Sequence, residues 1–247
     1  MMAHAWANKK DYIVVALTLT EGVKFPESVI SIQSDVTSDE HVKAMKQKVA
    51  ALLEERDAVL YAIVNNAGIA LAGRLDHVPR DHWETLMRLN LMAPMRLCSE
   101  FLPGMIERGS GHIVNISSIA GWTGAEGLSS YCASKFGLRG FGTALAADLR
   151  GTGVHVTNIY PCFSRTPILD SPQHGYEDRR VVPEYLISDP AQVVARIIDG
   201  VRRNRVHVFP DKYARIIKYL AQLAPWALPL LDRRMQAQSI AAGKAGD

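Results

Sequence analysis

Tyr131 and Lys135 stand four residues apart in SSYCASKFG (129–137), a stretch whose composition reads as helical. Residues i and i+4 of a helix share a face, so the Lys135 ammonium can lie beside the Tyr131 phenol. A free tyrosine, with a pKa of about 10, is a poor base near neutrality. A neighbouring positive charge favours the phenolate and draws that pKa towards the range where proton transfer is efficient. Upstream, GHIVNISSIAG (111–121) carries two serines. A hydroxyl at Ser118 can bond a carbonyl or alcohol oxygen and steady the charge developing on it. Ser117 is the alternative. The chemistry this set suggests is proton transfer at an oxygen-bearing carbon.

Other chemistries find less support. His77, His82 and His112 lack metal-ligand spacing, and no CxxC or HExxH occurs, so no metal site is expected. The cysteines, Cys98, Cys132 and Cys162, are odd in number and far apart, which argues against a disulfide framework and for a reducing compartment. A net charge of +3 is too small to imply nucleic acid. MMAHAWANKK lacks the apolar core of a signal peptide, and no run of about 20 apolar residues would span a membrane. The expected location is cytoplasmic.

The elements that would position these residues follow a repeat. Short apolar runs lie at 12–17, 29–32, 58–65, 112–117, 154–160 and 206–209, without the polar alternation of a half-exposed strand. Helical patterns fill 38–55, 80–108, 129–150 and 189–203. Ser38 and Asp189-Pro190 mark helix starts. Strand–helix–strand repetition predicts α/β architecture, a doubly wound parallel sheet with right-handed crossovers, in one domain spanning 1–247. Residues 161–188, rich in Pro, Ser and Gly, follow a strand's carboxyl end, where such sheets bind ligands. They are expected to form a substrate loop. Trp122 and Cys132 read as packing or pocket wall, and Phe101, Leu102 and Met105 as core.

Taken in order, Asp35-Val36, Asn65-Asn66-Ala67-Gly68, Asn90, Ser118/Tyr131/Lys135 and the loop from Pro161 to Thr166 resemble the short-chain dehydrogenase/reductase family. The resemblance covers about residues 29 to 210 and implies a Rossmann-like fold that binds NADP or NAD. It implies Tyr131 as the acid/base and Lys135 as its partner and the ligand of the nicotinamide ribose. Ser118, thirteen residues before Tyr131, would orient the substrate, and Asn90 would support a water relay behind the lysine. Asp35, Val36, Asn66, Ala67, Gly68, Tyr131, Lys135, Pro161 and Thr166 would contact the cofactor. The substrate would be a secondary alcohol or ketone, and the assembly a homodimer or homotetramer.

Three departures stand beside this resemblance. The family opens with a strand, a TGxxxGxG turn and a helix that hold the cofactor pyrophosphate, and no such sequence occurs here. The run at 12–17 matches the family's second strand, so the first strand and first helix are missing and two sheet edges should lack partners. A truncated sequence, or a relative without cofactor acting as an oligomer partner, is the alternative reading. The usual glycine after Pro161 is Cys162, and Thr18 holds the position that selects NAD or NADP, leaving that preference open. The tail 211–247 is amphipathic, with Pro225 and Pro229 expected to break any long helix. It can rest on a membrane, cover a lipid-like substrate or pack on a second subunit.

Overall fold

The β-branched runs pair as parallel strands in a computed structural model of the chain, which describes residues 12–20, 23–178 and 180–244. Strands β1 (Val14–Thr18) and β2 (Val29–Gln33) pair through five residues, from Val14 with Val29 to Thr18 with Gln33. A second sheet contains β3 (Ala62–Asn65), β5 (Gly111–Ile116), β6 (Val154–Ile159) and β10 (His207–Val208), in spatial order β10-β6-β5-β3. All its pairs are parallel. Helices follow the strands as right-handed α/β winding requires: α1 (Asp39–Glu55), α2 (Arg80–Met87), α3 (Ala93–Arg108), α4 (Ser129–Asp148) and α5 (Pro190–Arg202). The α/β doubly wound architecture read from the sequence is therefore present. Among the described residues, β1 pairs only with β2 and β3 only with β5, so the facing edges of the two sheets are without strand partners.

Burial tracks this division. In the four-stranded sheet Ile113 and Val114 of β5 are fully buried, one on each face. Ile113 packs with Met105, Leu149 and Val156, and Val114 with Ile159, Val193 and Ile197 of α5. Every residue of β1, by contrast, is only half-buried. Its cover is α1, whose Val42, Met45 and Val49 meet Val15, Leu17 and Ile32, joined in the same cluster by Leu97 and Phe101 of α3. The caps form where the sequence placed them: Ser38 accepts from the His41 amide at 3.3 Å and Asp189 from the Ala191 amide at 2.9 Å.

Four elements differ from expectation. The run at 58–65 is a strand only from Ala62, although the Tyr61 carbonyl still accepts from the His112 amide. The run at 206–209 shortens to His207–Val208. The helix over 80–108 is interrupted by a π-turn, Arg88–Met92, because Pro94 has no N–H to give the Asn90 carbonyl four residues back. Residues 161–188 are more ordered than a plain loop. Strand β7 (Phe163–Ser164) pairs with β9 (Ile187–Ser188) at its root, and β8 (Gln173–His174) pairs with β4 (Ala72–Gly73) at its tip.

After β10 come α6 (Lys212–Leu223), a 3-10 turn over Pro225–Ala227, and α7 (Leu228–Lys244). The break falls at Ala224, ahead of Pro225, while Pro229 sits in the first turn of α7, where its missing N–H costs nothing. No helix among the described residues is long and apolar enough to cross a membrane.

Candidate active site

The carboxyl ends of β3 and β5, the first turns of α4 and the π-turn meet at one place. Ser118 follows β5 and is buried. Its hydroxyl accepts from the Ala120 amide at 3.1 Å and lies near enough to the Tyr131 phenol to pull its pKa down. Tyr131 rises from the first turn of α4, its ring packed with Leu71, Val78 and Leu86. One turn on, Lys135 is buried; its Nζ donates to the Ile116 carbonyl at 3.0 Å and stands 5.7 Å from the Tyr131 ring centroid. Ser117 has other work, since its hydroxyl donates to the Lys135 carbonyl at 3.1 Å. Gly121 lets this contact close: a Cβ there would lie 2.7 Å from the Lys135 carbonyl oxygen.

Asn90 reaches the site from the π-turn and is almost fully buried. Its amide donates to the Ile69 carbonyl and accepts from the Ile69 N–H, both at 2.9 Å, and also donates to the Ser134 hydroxyl at 3.2 Å. The side chain therefore clamps the backbone just after Asn66-Ala67-Gly68. Gly68 faces the same corner, with Asn90 Oδ1 3.1 Å and Lys135 Nζ 3.5 Å from where a Cβ would be.

Burial sets the electrostatics. It pushes the Tyr131 phenol up to about 12, against the Ser118 hydrogen bond, which pulls it down. It also lowers Lys135 to about 8. The sequence suggested that the lysine would lower the phenol's pKa. Here the ammonium is drawn to the Ile116 carbonyl and is itself penalised by burial, so desolvation outweighs it. In this state Tyr131 holds its proton firmly, as a donor does.

The remaining candidates lie at different distances from this cluster. Pro161 joins it through backbone, its carbonyl accepting from the Ile119 amide at 2.9 Å. Thr166 is exposed, and its hydroxyl bonds the Ser164 carbonyl at 3.3 Å. Asp35 and Val36 follow β2, past the end of the two-stranded sheet. Asp35 accepts from the Thr37 amide and hydroxyl at 2.8 and 2.7 Å, which lowers its pKa, and Val36 accepts from Arg96 at 3.2 Å. None of the contacts made by Asp35 or Val36 reaches Tyr131 or Lys135. Cys162 is packed away beside Ile119, Ala214 and Ile217, its amide held by Asp211 at 2.8 Å.

Behind the site runs a feature that sequence reasoning missed. Asn65, Asn115 and Asn158 are paired in register across β3, β5 and β6, and their side chains form a buried ladder. Asn65 donates to Asn115 at 2.8 Å, Asn115 to Asn158 at 3.0 Å, and Asn158 to the Val206 carbonyl at 3.3 Å. Its signal was an asparagine recurring near the end of three successive apolar runs.

Fold and site together define a Rossmann-like α/β protein with a Ser/Tyr/Lys cluster at the carboxyl edge of its sheet. The chain matches the short chain dehydrogenase family over residues 9–177, and it belongs to that family. It is 34% identical over 149 residues to nodulation protein G of Rhizobium meliloti, covering 60% of this chain and 59% of that protein. To epidermal retinol dehydrogenase 2 of Mus musculus it is 31% identical over 182 residues, covering 72% of this chain and 57% of the relative. The chain thus spans little more than half the length of these relatives. A short-chain dehydrogenase from Sphingobium yanoikuyae in complex with NADPH superposes with a TM-score of 0.66 at 25% identity, over 81% of this chain and 74% of that one.

Proposed function

We propose that the chain carries the catalytic part of an NAD(P)-dependent oxidoreductase that interconverts a secondary alcohol and a ketone. The observation that carries this reading is the Ser118–Tyr131–Lys135 cluster: a half-buried phenol beside a buried serine hydroxyl and a buried ammonium. In the reducing direction, the Ser118 hydroxyl and the Tyr131 phenol hold the substrate oxygen, and Tyr131 gives it a proton. In the oxidising direction, the same phenol receives the proton. A cofactor of this kind, when bound, supplies or takes the hydride.

The nicotinamide riboside end of such a cofactor fits the residues gathered here. Lys135 offers ammonium protons to ribose hydroxyls, Gly68 keeps the adjacent corner free of a side chain, and Asn90 holds the loop that bears it. Pro161 and Thr166, at the start of the 161–188 segment, would also contact the cofactor, and Asp35 and Val36, beyond β2, would hold a more distant part of it, its adenine end. Whether NADP or NAD is preferred turns on the region of Thr18. Support for the former is the NADPH held by the Sphingobium structure. A lipid-like substrate is in keeping with the retinol dehydrogenase relative and with the apolar surroundings of Tyr131. The 161–188 segment, hydrogen-bonded to Ala72–Gly73 at its tip, would close over that substrate. Assembly as a homodimer or homotetramer belongs to the same reading.

Two measurements test it. Fluorescence titration with NADPH and NADH should give saturable binding of at least one, and failure of both with a folded protein would overturn the proposal. Tyr131→Phe should lower turnover by about 10²–10⁴ and leave cofactor affinity nearly unchanged.

A further inference from the structure

We propose that the α6–α7 corner docks this protein onto an anionic lipid surface. Along α6, Ile216, Tyr219 and Leu223 recur at spacings of three and four and are 49%, 55% and 81% exposed. Trp226 and Leu230, 74% and 60% exposed, carry the same apolar ridge across the turn and into α7. Bases flank it: Lys212, Arg215, Arg233 and Arg234 are exposed, and the Lys218 ammonium lies over the Tyr219 ring at 4.4 Å. Residues 212 to 231 contain no acid.

Of the two acids at the ends of this segment, Asp211 is buried and Asp232 is half-buried, and both are engaged by backbone amides. Asp211 accepts from the Cys162 and Ala214 amides, both at 2.8 Å, and Asp232 from the Glu126 amide at 3.1 Å. The exposed side chains from 212 to 231 are thus apolar, cationic or, as at Gln222, neutral, while Glu126 and Asp232 line the adjoining cleft. Its inner side is fixed, because Leu228 and Leu231 pack on Ile119, Ala214 and Ile217. A second copy docked on this ridge across a two-fold axis would set bases against bases. A surface of anionic headgroups over acyl chains matches both components, with Trp226 and Tyr219 at the depth their amphipathic rings favour. A cleft of about 390 Å³ adjoins the ridge, between Thr123–Glu126 and Pro225, Leu228, Pro229 and Asp232. An apolar substrate held in the bilayer would meet the protein beside the turn that follows Ser118.

The inference does not depend on the proposed reaction, and its test needs no activity. The full chain is sedimented with phosphatidylcholine vesicles and with vesicles that also contain phosphatidylglycerol. Binding to the anionic vesicles should be at least about tenfold tighter than to the neutral ones and should weaken as salt is raised. Leu223→Glu/Trp226→Glu and Lys212→Glu/Arg215→Glu should each lose at least about tenfold in affinity, with unchanged circular dichroism and elution volume. The proposal is overturned by wild-type protein that ignores anionic vesicles, or by variants that bind them equally. It also fails if the ridge holds a dimer that Leu223→Glu/Trp226→Glu dissociates while no vesicle binding is seen.

Discussion

Two adjacent serines at the end of β5 carry different burdens, and the difference can be measured. Ser118 stands beside the Tyr131 phenol and pulls its pKa down, whereas Ser117 gives its proton to the Lys135 carbonyl and so fastens α4 to the sheet. Ser118→Ala should lower turnover by about 10²-fold with little loss of stability. Ser117→Ala should do the reverse, costing about 1 kcal/mol in urea unfolding with turnover changed less than about threefold. The lysine between them makes a pH prediction. Burial lowers its folded pKa from 10.5 to about 8, so above pH 8 the unfolded chain binds one proton more than the folded one. Stability therefore rises with pH in that window. Wild type should gain about 2 kcal/mol on Lys135→Met between pH 8 and 10, and a flat difference would remove the buried ammonium from the account. The spacing of Ser118, Tyr131 and Lys135 was legible in the sequence. The direction of the phenol's shift was not, because an i,i+4 interval says nothing of how deeply α4 seats against β5 or which carbonyl takes the ammonium.

At the scale of elements, apolar runs and caps foretold strand and helix order well, while ends and cross-element contacts escaped. Strand β3 begins four residues later than its apolar run, because among the described residues its outer edge has no strand neighbour to extend it. The segment 161–188 reads as a loop because its three strands are two residues each, too short for any period to register. The asparagine ladder is a contact between strands, visible only once register is known. It also explains a glycine. Gly142 of α4 lies against it, so that an added Cβ would fall 1.9 Å from Asn158 Oδ1 and 2.6 Å from Asn115 Nδ2. Neither group can retreat without breaking a buried hydrogen bond. Gly142→Ala should therefore destabilise the protein by about 2–4 kcal/mol, although alanine is the better helix former at an ordinary site. A neutral or stabilising result in thermal unfolding would mean that the helix stands further from the sheet than described.

For the whole molecule, the consequential feature among the described residues is a parallel sheet in two parts, β1-β2 and β10-β6-β5-β3. The four-stranded part is covered on both faces, by α3 and α4 on one and α5 on the other. The two-stranded part relies on α1 and a strip of α3, and all of β1 is half-exposed. Stability is distributed accordingly, since a two-stranded ladder with one covered face opens at lower cost than a sheet buried on both. The same division separates Asp35 and Val36 from Tyr131 and Lys135, so the proposed adenine end would rest on the weaker unit and the proposed catalytic cluster on the stronger. Amide hydrogen exchange tests this directly. Amides of β1 and β2 should exchange at least about a hundredfold faster than those of β5 and β6, corresponding to about 3 kcal/mol in opening free energy. If NADPH or NADH binds as proposed, its addition should slow exchange in both units and reduce the gap between them. Equal protection in the free protein would show instead that β1 and β2 open only with the rest of the chain, and that the sheet behaves as one cooperative unit despite its divided pairing.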